Sequence, residues 1–162
     1  MCTRGVLLVA LVVVGLVINP AAQEPSSKGT ADKPLATREL DVEGVVAEVI
    51  ESIRKGDTLS VRVRFRNTGT APAKISLAAG GMSYHVQNYI VAGDTKYEIM
   101  RDTKDDALAT PRDGGGSLEP TIRPKGTFTW WAKYPAPPAT QKSYTLYLKV
   151  GPPIEDVPII DR

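Results

Sequence analysis

The sequence predicts an all-β protein, an immunoglobulin-like antiparallel β-sandwich of about seven strands, and three observations carry that prediction. Leu59, Val61, Val63 and Phe65 alternate with Ser60, Arg62, Arg64 and Arg66, the period-two pattern of a strand with one face in a core and one in water. Clusters of turn-forming residues recur at the spacing of roughly 8–12 residues that short sandwich strands require. The 162 residues include 14 glycines and 13 prolines, which favour many turns over long helices. At 42% hydrophobic and 23% charged the composition is ordinary globular, excluding a collagen-like, disulfide-framework or fully disordered chain. The length suits one domain with appendages. Twenty basic against eighteen acidic residues leave a net charge of +2, so no strong field points to nucleic acid.

The N-terminus reads as an address. After Met1–Arg4, the run Gly5–Ile18 carries no charged or strongly polar side chain. It is short of the ~20 residues needed to span a bilayer as a helix and matches a secretory h-region. Asn19-Pro20 then breaks any helix, and Ala21 and Ala22 offer small residues for cleavage, although Pro20 fits that site poorly. Residues 1–22 are therefore expected to be a signal peptide, with an uncleaved N-terminal membrane anchor as the rival reading. Cys2 precedes the apolar run, the wrong order for a lipid-modified cysteine, and it is the only cysteine. Cleavage would leave no thiol and no redox motif. Residues 23–38 (QEPSSKGTADKPLATR) hold too little apolar surface to offset ordering entropy and are expected to be a flexible linker, leaving 39–162 as the domain.

Within that domain, Val42–Ile53 is ambiguous: its valines and isoleucines also fall on a helical stripe. β-Branched residues, the internal Gly44 and the turn Arg54–Asp57 leading into Thr58–Arg66 favour one arm of a hairpin. Asn67–Thr70 ends the second strand, and Ala73–Ala79 reads as the third. Met82–Val91 and Lys96–Arg101 are expected to pair around Ala92–Thr95. Asp102–Gly116 is a long loop, acidic at first and ending in glycines, and Pro120–Gly126 is turn-rich. Thr127–Lys133 and Lys142–Val150 complete the strands, separated by a proline-rich crossing at Tyr134–Pro138. The tail Gly151–Ile160 contains three prolines yet also Ile154, Val157, Ile159 and Ile160. It is predicted to pack, with the sheet surface around Trp130 and Trp131 as its receptor.

The stretch Leu59–Leu77 (LSVRVRFRNTGTAPAKISL) resembles the strand–Asn-Thr-Gly–strand signature of bacterial Ig-like modules of the cell-adhesion-related CARDB type. The segments Lys96–Asp102, Trp131–Pro138 and Glu155–Ile159 are similar to exported bacterial proteins carrying such a domain. The resemblance implies the fold and export. It carries over no catalytic residue, and a shared sandwich does not imply adhesion.

Four constellations are candidate sites. Ser83 and His85 would share a strand face, but no acid stands at matching spacing, and Gly81–His85 lacks the closing glycine of a nucleophile elbow. Asp102, Asp105, Asp106 and Asp113 crowd one loop as calcium ligands would; Arg101, Lys104 and Arg112 are interleaved, and a solvated loop is the default. One histidine and the lone Cys2 leave transition metals without ligands. Arg62, Arg64 and Arg66 project about 7 Å apart from one strand face, either to grip an anionic polymer or to pair with Glu48 and Glu51 across the hairpin. Trp130 falls in the row of Phe128 and Ala132, and Trp131 in that of Thr129 and Lys133. One row is core; the other indole is exposed for stacking or roofed by the tail.

The functional expectation is an exported extracytoplasmic module that binds or scaffolds in the cell envelope, periplasmic or secreted, with an envelope protein or polysaccharide as partner. No cofactor, metal site or nucleic acid is expected, and membrane contact only if the N-terminal segment stays uncleaved. The alternative is a small envelope enzyme acting on carbohydrate through the loop carboxylates.

Overall fold

The period-two alternation of Thr58–Asn67 becomes the centre of the first sheet. The computed structural model describes residues 33–80 and 84–162; residues 1–22, most of the predicted linker and Ser83 lie outside them. Strand β2 (Val45–Lys55) turns through Gly56 (φ 56°) into β3 (Thr58–Asn67). A bulge between Val49 and Glu51 interrupts β2, so the apolar residues that fall on a helical stripe in sequence divide between its two faces. Before the bulge Val45, Ala47 and Val49 face the core; after it the inward set is Ser52 and Arg54. One extra residue thus flips the face of the strand and leaves Ile53 on the outer side beside Ser60.

On its other side β3 pairs with β8 (Thr127–Pro135), and β1 (Ala36–Glu39) adds to the far edge of β2. The second sheet runs β10 (Ile154–Pro158), β9 (Ser143–Tyr147), β5 (Tyr89–Ala92), β6 (Thr95–Glu98). Two short strands, β4 (Ala73–Lys74) and β7 (Thr121–Ile122), pair outside both sheets. The chain stays in the first sheet through β3, crosses to β5 and β6, returns to β8, and crosses again to β9 and β10. That order, β2-β3-β8 against β10-β9-β5-β6, is the immunoglobulin-like arrangement of A-B-E against G-F-C-C′. The protein is an all-β sandwich.

Four expectations change. The linker predicted over 23–38 ends sooner, because Leu35 N–H donates to Val49 O at 2.7 Å and β1 follows. Its exposed Thr37, Arg38 and Glu39 hide an edge strand inside a polar composition, while Leu35, Ala36 and Leu40 pack on the core. The third strand shortens to Ala73–Lys74, although Ile75 and Leu77 remain buried and bond the backbone of Pro120 and Leu118. The strand predicted from Met82 begins only at Tyr89; Tyr84–Gln87 is a helical turn, α1, closed by Asn88, whose side chain donates to Tyr84 O and Leu77 O. The tail packs as predicted but elsewhere. It forms β10 beside β9 and β11 (Ile160–Asp161) beside β2, the one parallel pairing among the described strands. Backbone pairing along sheet edges outcompetes a roof over Trp131, because it satisfies N–H and C=O groups that a proline-rich cover would leave open.

The core lies between the sheets. Leu59, Val61, Val63 and Phe65 from β3 meet Trp130 and Tyr134 from β8, and Ile90, Leu146, Ile154 and Val157 from the second sheet. Two buried polar side chains organise the ends. Asn67 donates to Ala71 O and Ile122 O and accepts from Gly69 N–H, which is the structural content of the Asn-Thr-Gly sequence. Gly44 (φ 72°) passes so close that a Cβ there would sit 3.1 Å from Gly69 N. At the other end Arg54 donates to the carbonyls of Pro137, Pro138 and Gln141 and, bidentately at 2.6 and 3.1 Å, to Asp161.

Candidate functional site: the outer face of β3 and β8

Register decides what the outer face presents. Inward, β3 and β8 match Leu59 with Tyr134, Val61 with Ala132, Val63 with Trp130 and Phe65 with Phe128. Outward, the same ladder matches Ser60 with Lys133, Arg62 with Trp131, Arg64 with Thr129 and Arg66 with Thr127. Trp130 is fully buried and its Nε1 donates to the Tyr84 hydroxyl; Trp131 is 38% exposed. The two rows therefore separate as the alternation predicts, and the exposed indole is Trp131.

The backbone of Trp131 is anchored on its edge side. Its N–H donates to Thr110 Oγ1 and its carbonyl accepts from Thr110 N–H, both at 2.9 Å. Met100 and Leu108 bond Lys133 in the same way, so the Met100–Thr110 segment covers this part of the β8 edge. Between Trp131, Arg62, Glu51, Ser60 and Lys133 lies a shallow depression of about 100 Å³.

The arginines divide by partner. Glu48, almost buried, accepts from Arg64 Nε at 2.7 Å and from Arg66 Nε and Nη2 at 3.0 and 2.8 Å. Burial alone would raise the Glu48 carboxyl, but hydrogen bonds from Arg66 and Arg64, with their charge, outweigh it and hold its pKa below the ordinary value. One carboxylate thus fixes two guanidinium groups and leaves one positive charge in excess. Arg62 is held less tightly, 3.6 Å from Glu51 and with half its side chain exposed. The expected cross-strand pairing is present, and it leaves the arginine row both ordered and outward.

The acidic loop serves itself. Asp102 Oδ1 accepts from the N–H groups of Lys104 and Asp106, Asp113 Oδ1 from those of Gly115 and Ser117, and Asp105 pairs with Arg101 at 2.6 Å. Among the described residues no group of three histidine, cysteine or carboxylate side chains is placed to share a metal ion. Asp106 and Asp113 instead line an open groove of about 490 Å³ with Tyr84, Thr110 and Arg112. Arg112 stands 5.6 Å above the Tyr84 ring, and burial pushes the Tyr84 hydroxyl up to about 12 against the opposing effects of Trp130 and Arg112. The loop and Trp131 are joined through Thr110, whereas the loop aspartates and the arginine row are not brought into one site. His85 sits half-buried on α1 rather than on a strand.

Two features escaped the sequence reading. Tyr89 and Tyr147 stack across β5 and β9 at 4.7 Å with their rings nearly parallel, and Lys96 lies 4.4 Å from the Tyr89 ring. Tyr89 is engaged by Tyr147 and by Lys96, and neither tyrosine is as exposed as Trp131. The Arg54 cluster was equally hidden. In both cases the partners meet only through register or crossings that no local pattern encodes. Comparison with family models, with curated proteins and with solved structures finds no match.

Proposed function

We propose that this chain is an exported, extracytoplasmic binding module of the cell envelope that engages its partner through the outer face of β3 and β8. The observation that carries the reading is the pinned, uncovered Trp131 directly opposite Arg62. A singly exposed aromatic is common on surfaces. Here it is the only aromatic among the exposed large hydrophobic side chains of the described residues, its backbone is fixed by Thr110, and it stands beside a basic row in which Glu48 orders Arg64 and Arg66. Preorganised aromatic and arginine groups lose little side-chain entropy on binding, which is why they dominate recognition surfaces. The resemblance to CARDB-type modules and the apolar Gly5–Ile18 run support export. Three of the four loop carboxylates, Asp102, Asp105 and Asp113, are engaged by backbone N–H groups or by Arg101, which favours binding over hydrolysis.

Co-sedimentation of the purified protein with isolated cell envelopes tests this directly. Trp131→Ala should lower the apparent affinity at least about tenfold, a modest hot-spot loss, with an unchanged melting midpoint, while Val91→Ala on the opposite sheet leaves binding intact. Equal sedimentation of wild type and Trp131→Ala would contradict the reading. Intact mass of the extracytoplasmic protein should show a start near Ala22 or Gln23; full-length protein confined to the cytosol would contradict export.

A further inference from the structure

The β3–β8 ladder does more than expose one indole. Its outward pairs follow one another at two-residue steps, about 7 Å each, so Ser60–Lys133, Arg62–Trp131, Arg64–Thr129 and Arg66–Thr127 form a straight band about 20 Å long. Each pair sets one cation beside a hydroxyl or the indole. Along the same face Lys55, Arg62, Arg64, Arg66 and Lys133 stand against Glu39, Glu48 and Glu51, and Lys133 has no ion-pair partner among the described residues. The band is therefore net positive although the whole chain is near neutral.

We propose that this band is a binding track for a linear polysaccharide carrying carboxylate groups on its sugars. This rests on the binding-module reading above and names its ligand. Guanidinium groups donate paired, charge-assisted hydrogen bonds to carboxylates. Glu48 holds Arg64 and Arg66 in place with N–H groups to spare, and the long Arg62–Glu51 contact lets a ligand carboxylate take over that guanidinium. Thr127, Thr129 and Ser60 exchange hydrogen bonds with sugar hydroxyls, and the Trp131 ring receives the C–H face of a pyranose, whose weakly positive hydrogens meet the negative face of the indole. A globular protein partner would want an apolar centre to the patch; within the four β3–β8 pairs the one apolar side chain is Trp131, and exposed Ile160 lies two strands away beside Ile53. Single-stranded nucleic acid would want successive aromatic platforms, and the pairs flanking Trp131 carry none.

Isothermal titration of the protein with polygalacturonate, neutral dextran and oligothymidylate at low and physiological salt tests the assignment. Binding is expected to polygalacturonate alone and to weaken as salt rises. Trp131→Ala should weaken it at least tenfold and Arg62→Gln about three- to tenfold, with both variants melting as the parent does. Binding to dextran as tight as to polygalacturonate, preference for oligothymidylate, or no heat with polygalacturonate at low salt would each overturn the proposal. If polygalacturonate fails while envelope sedimentation still depends on Trp131, the glycan assignment falls and the module reading stands. Loss of both removes both.

Discussion

Phe65 and Arg64 are chain neighbours facing opposite media, and their substitutions should differ accordingly. Phe65 is fully buried and stacks with Phe128 at 6.3 Å, so Phe65→Ala should cost about 3–5 kcal/mol in urea unfolding through lost burial and a cavity. Arg64→Ala removes one of two arginines on Glu48 and should cost under about 1 kcal/mol. Equal losses would refute the face assignment. Glu48 itself carries a pH signature. Its folded pKa lies below the ordinary carboxylate value, so its contribution is present above the unfolded pKa and lost as pH falls through the folded one. Glu48→Gln should therefore lower the melting point at neutral pH and converge with the parent in acid; a constant gap across pH would contradict this. At this scale the inward row of β3 and the arginine–glutamate pairing were legible, because alternation and hairpin geometry are local. The role of Asn67 was not: one of its acceptors, Ile122 O, is 55 residues away.

Among the elements, β2 shows how a regular pattern conceals an irregular strand. The bulge after Val49 turns Ser52 and Arg54 inward, and Ser52 meets the buried Tyr144 hydroxyl from β9 short of full hydrogen-bonding geometry. Arg54 gains the more consequential position, joining β2, the β8–β9 crossing and β11 through one guanidinium. Its removal leaves carbonyls without donors, so Arg54→Ala should destabilise by at least about 2 kcal/mol. Deleting residues 160–162 should lower the melting midpoint less. Asp161 is held below the usual carboxylate range, first by its hydrogen bond from Arg54. Asp161→Asn should accordingly melt below the parent at neutral pH and match it in acid, since the native carboxylate gives up its contribution as it protonates. A tail whose removal left melting unchanged would be undocked. That this tail packs was readable from its β-branched residues between prolines. Where it packs was not, because edge pairing depends on which strands the fold leaves open.

At the scale of the molecule, the immunoglobulin-like order follows from a strong β2–β3 hairpin, three crossings between the sheets from β3 to β9, and a second sheet that closes over the apolar face. The strand count rose above the predicted seven through β1, β7, β10 and β11, short segments whose sequences lack alternation long enough to register. The candidate surface was half legible: each of Arg62, Arg64, Arg66 and Trp131 could be named from its strand, but only the β3–β8 register places Trp131 against Arg62. The proposed binding role requires this face to become covered when the protein engages the cell envelope. Iodide quenching of tryptophan fluorescence, measured with and without isolated envelopes, addresses that requirement because Trp130 is already inaccessible and the quenchable signal belongs to Trp131. Envelopes are expected to protect the signal from iodide and to shift its emission to the blue. Undiminished quenching of protein that has bound the envelopes would contradict that role.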